Sequence, residues 1–385
     1  MNLESVKRIW TFSAKTDAPG ILWSFTKKIS GKYMSWQNNM KGLKRVSEKP
    51  NDMVLMDLSE PRLPGDDWLK VKVSYAGICG SDIKMFHMDC SAPDSKLRPP
   101  VIPGHESSGI VWEKGSAVHH MEVGDRVVCH TMVKPCGRCE YCLTGNWGLC
   151  RERKGIGSDM NGAFAEFLVC PAENAIKIPK ELPLDTAALT EPLACSVRIV
   201  EEIGKIRRGE KAVIFGPGPI GACCAMTVRA NGAVPVIVGT KHSRHRMKVL
   251  QDNGIQCFIN DEKLPKNILD YFGGYADMAV DAVGKEAVFQ STFHVVKKLG
   301  RIVVGAIDES STGYSVNMTK VFGSQIKVLP SCSSTPKGWN EALNLLSEHQ
   351  DEFKKFISGS YPLEQWDRAF QKAESRDGFK IMLRP

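Results

Sequence analysis

Residues 211–233 read KAVIFGPGPIGACCAMTVRANGA, an apolar run that breaks at glycine and restarts as an Ala- and Met-containing segment of helical character. The break holds Gly216, Gly218 and Gly221 in the pattern G-x-G-x-x-G, with Pro219 and Ile220 in the last interval. Such glycines let the backbone approach a pyrophosphate, and a helix starting there offers unpaired N–H groups to it. The motif is weak alone, but a strand before it and a helix after it supply the context it requires. Gly216, Gly218, Pro219, Ile220 and Gly221 are therefore the expected cofactor-binding turn.

The alternation continues downstream with VPVIVGT (234–240) and SRHRMKVLQDNGI (243–255), then MAVDAVG (278–284), KEAVFQSTFHVVKKLG (285–300) and RIVVGAI (301–307). Short apolar strands alternating with helices of about 10 to 15 residues predict βαβ units on a parallel sheet. Residues 191–330 are thus expected to form one doubly wound dinucleotide-binding domain. An NAD site needs an acid about 20 residues after the glycines, for the ribose 2′-hydroxyl. The second strand runs instead into Thr240, Lys241, His242, Ser243, Arg244 and Arg246. A 2′-phosphate suits those groups, so NADP is expected over NAD, with Thr240, Lys241 and Arg246 as contacts.

Upstream the texture differs. Runs such as MVLMDLSE, WLKVKVSYAGI, SSGIVWEKGS and DRVVCHTMV lie between Pro, Gly and Asp-Gly type turns, which predicts a folded-over β barrel or sandwich. After residue 330, PKGWNEALNLLSEHQ and LEQWDRAFQKAESRDG have amphipathic helical patterns and FKIMLRP reads as a strand. That tail is expected to return to the first domain, which then comprises 40–190 and 331–385.

Nearly all of the net charge of +8 lies in the first 50 residues, where ten basic side chains face Glu4, Asp17 and Glu48. Residues 1–39 read as an extension whose Trp10, Trp23 and Trp36 pack while its lysines are solvated, in preference to a nucleic-acid or membrane arm. Within it, VKRIWTFSAKTDAPGILWSF (6–25) suggests a hairpin, loosely echoed by LKRVSEKPNDMVLMDL (43–58). No apolar run reaches the roughly 18 residues of a membrane span, and no targeting peptide is evident, so a cytoplasmic protein is expected. In that setting the thirteen cysteines are expected to be reduced and available to metal.

The segment VKPCGRCEYCLTGNWGLC (133–150) places Cys136, Cys139, Cys142 and Cys150 as C-x2-C-x2-C-x7-C. Four thiolates so spaced can close a tetrahedron around zinc and leave no position for water, which makes the site structural. An iron–sulfur cluster is the competitor, although its cysteine runs differ at the fourth position. A second set is open: Cys79 in GICGSDI, His105 and Glu106 in PGHESSG, and Glu191 in LTEPLAC. One sulfur, one nitrogen and one or two carboxylates are what catalytic zinc uses while keeping a coordination position free.

GICGSD, PGHESSGIV, VGDRV, the four-cysteine loop, EPLAC and FGPGPIG, in this order, resemble the zinc-dependent medium-chain alcohol and polyol dehydrogenases from about residue 40 to 385. The resemblance implies an α/β chain, with a GroES-like β-rich catalytic domain and a Rossmann doubly wound parallel-sheet domain. It implies Cys79 and His105 as ligands of the catalytic zinc, and Glu106 as a ligand or an alternating carboxylate beside it. Glu191 resembles the acid used by the sorbitol and threonine dehydrogenase branch, directly or through water. Ser81 is placed like the first hydroxyl of the proton relay. Lys84 departs from the His that many relatives carry, so the proton leaves through Lys84 or through water and cofactor ribose.

The expected function is interconversion of a secondary alcohol, polyol or sugar-like, and its ketone, by hydride transfer to NADP with one catalytic and one structural zinc per chain. A threonine-type amino alcohol dehydrogenase and a non-catalytic NADPH-binding zinc scaffold are the alternatives. A homodimer or homotetramer is implied.

Overall fold

A computed structural model of the chain describes residues 26–29, 32–35, 39–87, 99–308 and 313–385. The chain divides into two compact units, Met1–Asn38 and Asn39–Pro385. In the first, Thr26–Ile29 pairs antiparallel with Lys32–Ser35; the hairpin expected at 6–25 lies outside the described residues. The second unit carries everything that follows. Its first element is the antiparallel hairpin of Asn39–Arg45 with Met53–Ser59.

The strands Trp68–Gly77 (β1), Glu106–Lys114 (β2), Arg126–Cys129 (β3), Phe167–Pro171 (β4) and Ala175–Lys177 (β5) come next in the β-rich half. Helix α1, Gly80–His87, leaves the end of β1, and helix α2, Thr190–Val197, leads into the cofactor half. That half contains β6 (Lys211–Phe215), β7 (Val234–Gly239), β8 (Gln256–Ile259), β9 (Ala276–Asp281), β10 (Val296–Val304) and β11 (Lys327–Pro330), with helix α3, Pro219–Ala230, after β6. The tail supplies β12 (Ile357–Pro362) and β13 (Lys380–Arg384).

The six strands of the cofactor half are all parallel, in the order β8–β7–β6–β9–β10–β11. Ala212, Val213, Ile214 and Phe215 are at most 1% exposed, as strands covered on both faces must be. The order reverses at β6, so a crevice for ligand lies at the carboxyl ends of β6 and β9. The segment KEAVFQSTFHVVKKLG is helical only over Glu286–Thr292, and β10 begins at Val296. Val295 and Val296 are buried and β-branched, whereas Leu299, inside the segment expected to be helical, is exposed with φ of 60°.

The other sheet runs β5–β3–β2–β1–β13–β12, with β4 also on β1. Register shifts at Lys70/Val71 and Val73/Tyr75 increase the local twist. The twist lets β1 change partners: Trp68 to Lys72 pair with β4, while Ala76 and Gly77 pair with β13. The tail therefore runs back into the first half, and its longer helices occupy Pro336–Glu348 and Trp366–Glu374. One buried cluster extends from Val128 and Ile178 through Leu193 and Ile214 to Trp339 and Met382, so the two halves share apolar packing. Among the described residues no helix is long and apolar enough to cross a membrane.

Candidate active site

The end of β1 and the start of β2 bring Cys79 and His105 together. Gly77 and Glu106 are register partners, and a Cβ at 77 would collide with the Glu106 carboxylate, which only glycine avoids. Gly104, with φ of 92°, turns the chain into His105 where any side chain would strike the Phe164 ring. The ligand atoms of Cys79, His105 and Glu106 then lie within 4.8 Å of one another. Glu191 is not in that group; it stands in the first turn of α2, where its Oε1 accepts from Cys195 Sγ at 3.4 Å.

Two partners of this group were given no role by the sequence reading. Asp82, fully buried in α1, accepts from the Cys79 N–H at 2.8 Å and sits 3.6 Å from His105 Nδ1. Burial opposes charging of His105, but the Asp82 carboxylate outweighs it and holds the ring well above the usual imidazole range. A carboxylate on one ring nitrogen fixes the orientation of the other, as metal-binding histidines require. Lys380 of β13, 2% exposed, places Nζ 2.7 and 2.6 Å from the two Glu106 oxygens and 3.2 Å from the Ile78 carbonyl. Asp82 was within reach of sequence reasoning, three residues after Cys79; Lys380 had no such signal. Burial pushes the Glu191 carboxyl up. Ser81 is exposed and Lys84 half-buried, both on α1, while His87 pairs with Glu374 at the surface.

The four cysteines also converge within 4.8 Å. Cys139 and Cys136 lie 3.5 and 3.8 Å from Cys142, sulfur to sulfur. Tetrahedral zinc with bonds of about 2.3 Å needs sulfurs about 3.8 Å apart, so this donor set fits the ion. The Cys136 N–H points at Cys150 Sγ and the Cys139 N–H at Cys136 Sγ, which favours thiolate. Burial pushes Cys142 up to about 12; at Cys150 burial acts the same way, but N–H groups of 136 and 152 outweigh it and bring the thiol down to about 6.

At the glycine turn, Gly216 has φ of 104° and Gly218 caps α3 with open space where a Cβ would stand. Any side chain at 221 would run into the Gly216 carbonyl. The turn is therefore a backbone cradle fitted to a dinucleotide phosphate. Beyond β7, Thr240 and Ser243 close a capping box, and Lys241 and Arg244 are exposed. Arg246 differs from expectation: its Nε donates to the Gly378 carbonyl at 2.5 Å and its guanidinium lies over the Phe379 ring. Burial lowers its pKa to about 10. The exposed cations beside the strand end are thus Lys241 and Arg244, a distinction invisible in the run of basic residues.

Residues 65–180 match the alcohol dehydrogenase GroES-like domain, and residues 219–348 the zinc-binding dehydrogenase domain. The chain is 31% identical to a sorbitol dehydrogenase of Halalkalibacterium halodurans, over 90% of this chain and 99% of that one. The chain belongs to the zinc-dependent medium-chain polyol dehydrogenases. These enzymes exchange hydride between an alcohol carbon and a nicotinamide. A D-arabitol-phosphate dehydrogenase of Enterococcus avium is also 31% identical, over 89% and 97% of the two chains. A zinc-binding dehydrogenase structure from Sinorhizobium meliloti 1021, bound to NADP, superposes with a TM-score of 0.80 at 26% identity, covering 91% of this chain and all of that one. As a polyol dehydrogenase, the chain combines an open ligand group and a phosphate cradle in one unit.

Proposed function

We propose that this polyol dehydrogenase oxidises a secondary hydroxyl of a polyol or sugar-like substrate to the ketone, reversibly, with NADP(H). The observation that carries the reading is the convergence of Cys79, His105 and Glu106 within 4.8 Å, from segments separated in sequence. In this reading 40–190 with 331–385 is the catalytic domain and 191–330 the cofactor domain. Cys79 and His105 would hold a catalytic zinc with Glu106, and Glu191 would reach it directly or through water. The four-thiol loop would hold a second, structural zinc. When bound, the catalytic zinc supplies a Lewis acid that lowers a hydroxyl pKa, and NADP supplies the hydride acceptor.

The chain's own side chains do the rest. Asp82 fixes the His105 ring, and Lys380 balances the Glu106 charge and donates to its Oε1. Ser81 and Lys84 lie on α1, which starts one residue after Cys79, and would pass the proton outward. Lys241 and Arg244 would take a 2′-phosphate, with Thr240 shaping the turn; the NADP-bound relative supports that preference. A homodimer or homotetramer in the cytoplasm completes the reading.

The test is an assay of the purified enzyme on polyols, polyol phosphates and their ketones, with NADP and NAD separately, alongside metal analysis. Turnover of a polyol with NADP preferred and about two zinc per chain is expected. Binding of NADPH with one zinc and no turnover on any substrate would favour the scaffold reading instead.

A further inference from the structure

One buried cation joins the cysteine loop to the helix of Glu191. A π-helical segment, Arg198–Ile203, follows α2 without a break, and such turns recur at functional sites. Glu191, Cys195 and Arg198 are spaced i, i+4 and i+7, which puts them on one stripe of the helix. Arg198 is 7% exposed; its Nη2 donates to Asn146 Oδ1 at 2.8 Å and its Nη1 stands 3.8 Å from Glu202 Oε2. Its Nε is buried with no hydrogen-bond partner among the described residues. A guanidinium buried for stability alone has its N–H groups matched. Here the close contact goes to a neutral amide, which favours an orienting role.

Asn146 is itself held. Its amide nitrogen donates to Thr144 Oγ1 at 3.1 Å and its backbone N–H to the Tyr141 carbonyl at 2.7 Å. It lies four residues from both Cys142 and Cys150. Two residues on, Gly148 must be glycine, since a Cβ there would stand 2.9 Å from Ser333 Cβ. Ser333 has φ of 65°, and its hydroxyl and that of Ser331 are buried without a partner among the described residues. The Ser331 N–H donates to the Val304 carbonyl at 2.9 Å, so this turn sits at the carboxyl ends of β10 and β11, the side where a dinucleotide lies. A non-glycine residue held in such a conformation persists where its surroundings over-determine it, commonly at functional sites.

We propose that Arg198 is a positioning residue for the reaction. With Asn146 it locks the 146–148 turn of the cysteine loop against the Glu191 helix and the 331–333 turn, so that the loop sets substrate and cofactor affinity as well as holding the fold. The inference rests on the dehydrogenase reading above.

The experiment uses the zinc-loaded enzyme and the variants Arg198→Gln, Asn146→Leu and their combination. Polyol KM and kcat, NADPH Kd by fluorescence, zinc content and melting are measured for each. Each single change should raise KM and Kd about tenfold with kcat little altered and zinc retained. The double variant should be no worse than the poorer single one, because both break one contact. Melting that falls while KM and Kd stay at wild-type values would overturn the proposal, as would fully additive effects. If Arg198→Gln does not fold, Asn146→Leu carries the test alone. Wild-type enzyme that turns over no polyol would sink the dehydrogenase reading, while NADPH Kd would still judge Arg198.

Discussion

Lys380→Met probes the buried pair on which the open site rests. The substitution keeps most of the apolar stem and removes the charge, leaving Glu106, 1% exposed, without its cation. At the 2.6 Å separation and an effective dielectric of about 20, the attraction is about 6 kcal/mol. Relaxation and water entry reduce the observable part, and deleting one member of a buried pair costs about 3–5 kcal/mol. Urea denaturation of metal-depleted protein at neutral pH should show a loss of that size. Adding Glu106→Gln should return much of it, because a neutral amide needs no counter-charge. Burial lowers the Lys380 pKa, but Glu106 more than offsets this and raises it above the usual 10.5. A raised folded-state pKa means a contribution fully present below the unfolded value and lost as pH climbs through the folded one. The gap between wild type and variant should therefore stay flat from neutral pH to about 10 and close only above it. A loss below about 1 kcal/mol, the range of exposed pairs, or a double variant worse than either single one, would refute the reasoning.

Cys79→Ala should abolish turnover yet leave NADPH binding intact, read by steady-state rates and cofactor fluorescence; full activity would remove Cys79 from the site. Cys142→Ser should lose about one zinc per chain and lower the melting temperature, since a structural zinc contributes folding free energy. Gly221→Ala should weaken NADPH binding sharply, because the added methyl meets the Gly216 carbonyl; titration of cofactor fluorescence decides it. His130, buried between Trp147 and Trp339, is held down to about 4 by burial. Its neutral form therefore stabilises the fold above the ordinary value of 6.5, and that contribution is lost as pH falls towards 4. His130→Gln should flatten the acid limb of the stability profile between those values, measured by urea unfolding at stepped pH.

The parallel sheet was legible because both-face burial writes strands as apolar runs, and the glycine turn because its shape leaves no room for a side chain at 216 or 221. The helix proposed for 285–300 misled because Val295 and Val296 continue an apolar pattern that suits either structure until pairing with β9 decides. Arg246 misled for a related reason: among Lys241, Arg244 and Arg246, sequence cannot tell an exposed cation from one bonded to Gly378.

The sequence by itself determined the features built from near neighbours: the four-thiol loop, whose ligands span fifteen residues, the glycine cradle, and the lack of an acid after β7. Their geometry follows from local turns and helix starts, so spacing is enough to read them. The tertiary structure alone decided that Lys380, 274 residues from Glu106, neutralises it, that Asp82 meets His105, and that Arg198 reaches Asn146. Charge pairing across a core depends on which strands become neighbours, and no periodicity in the chain records a partner chosen by sheet closure.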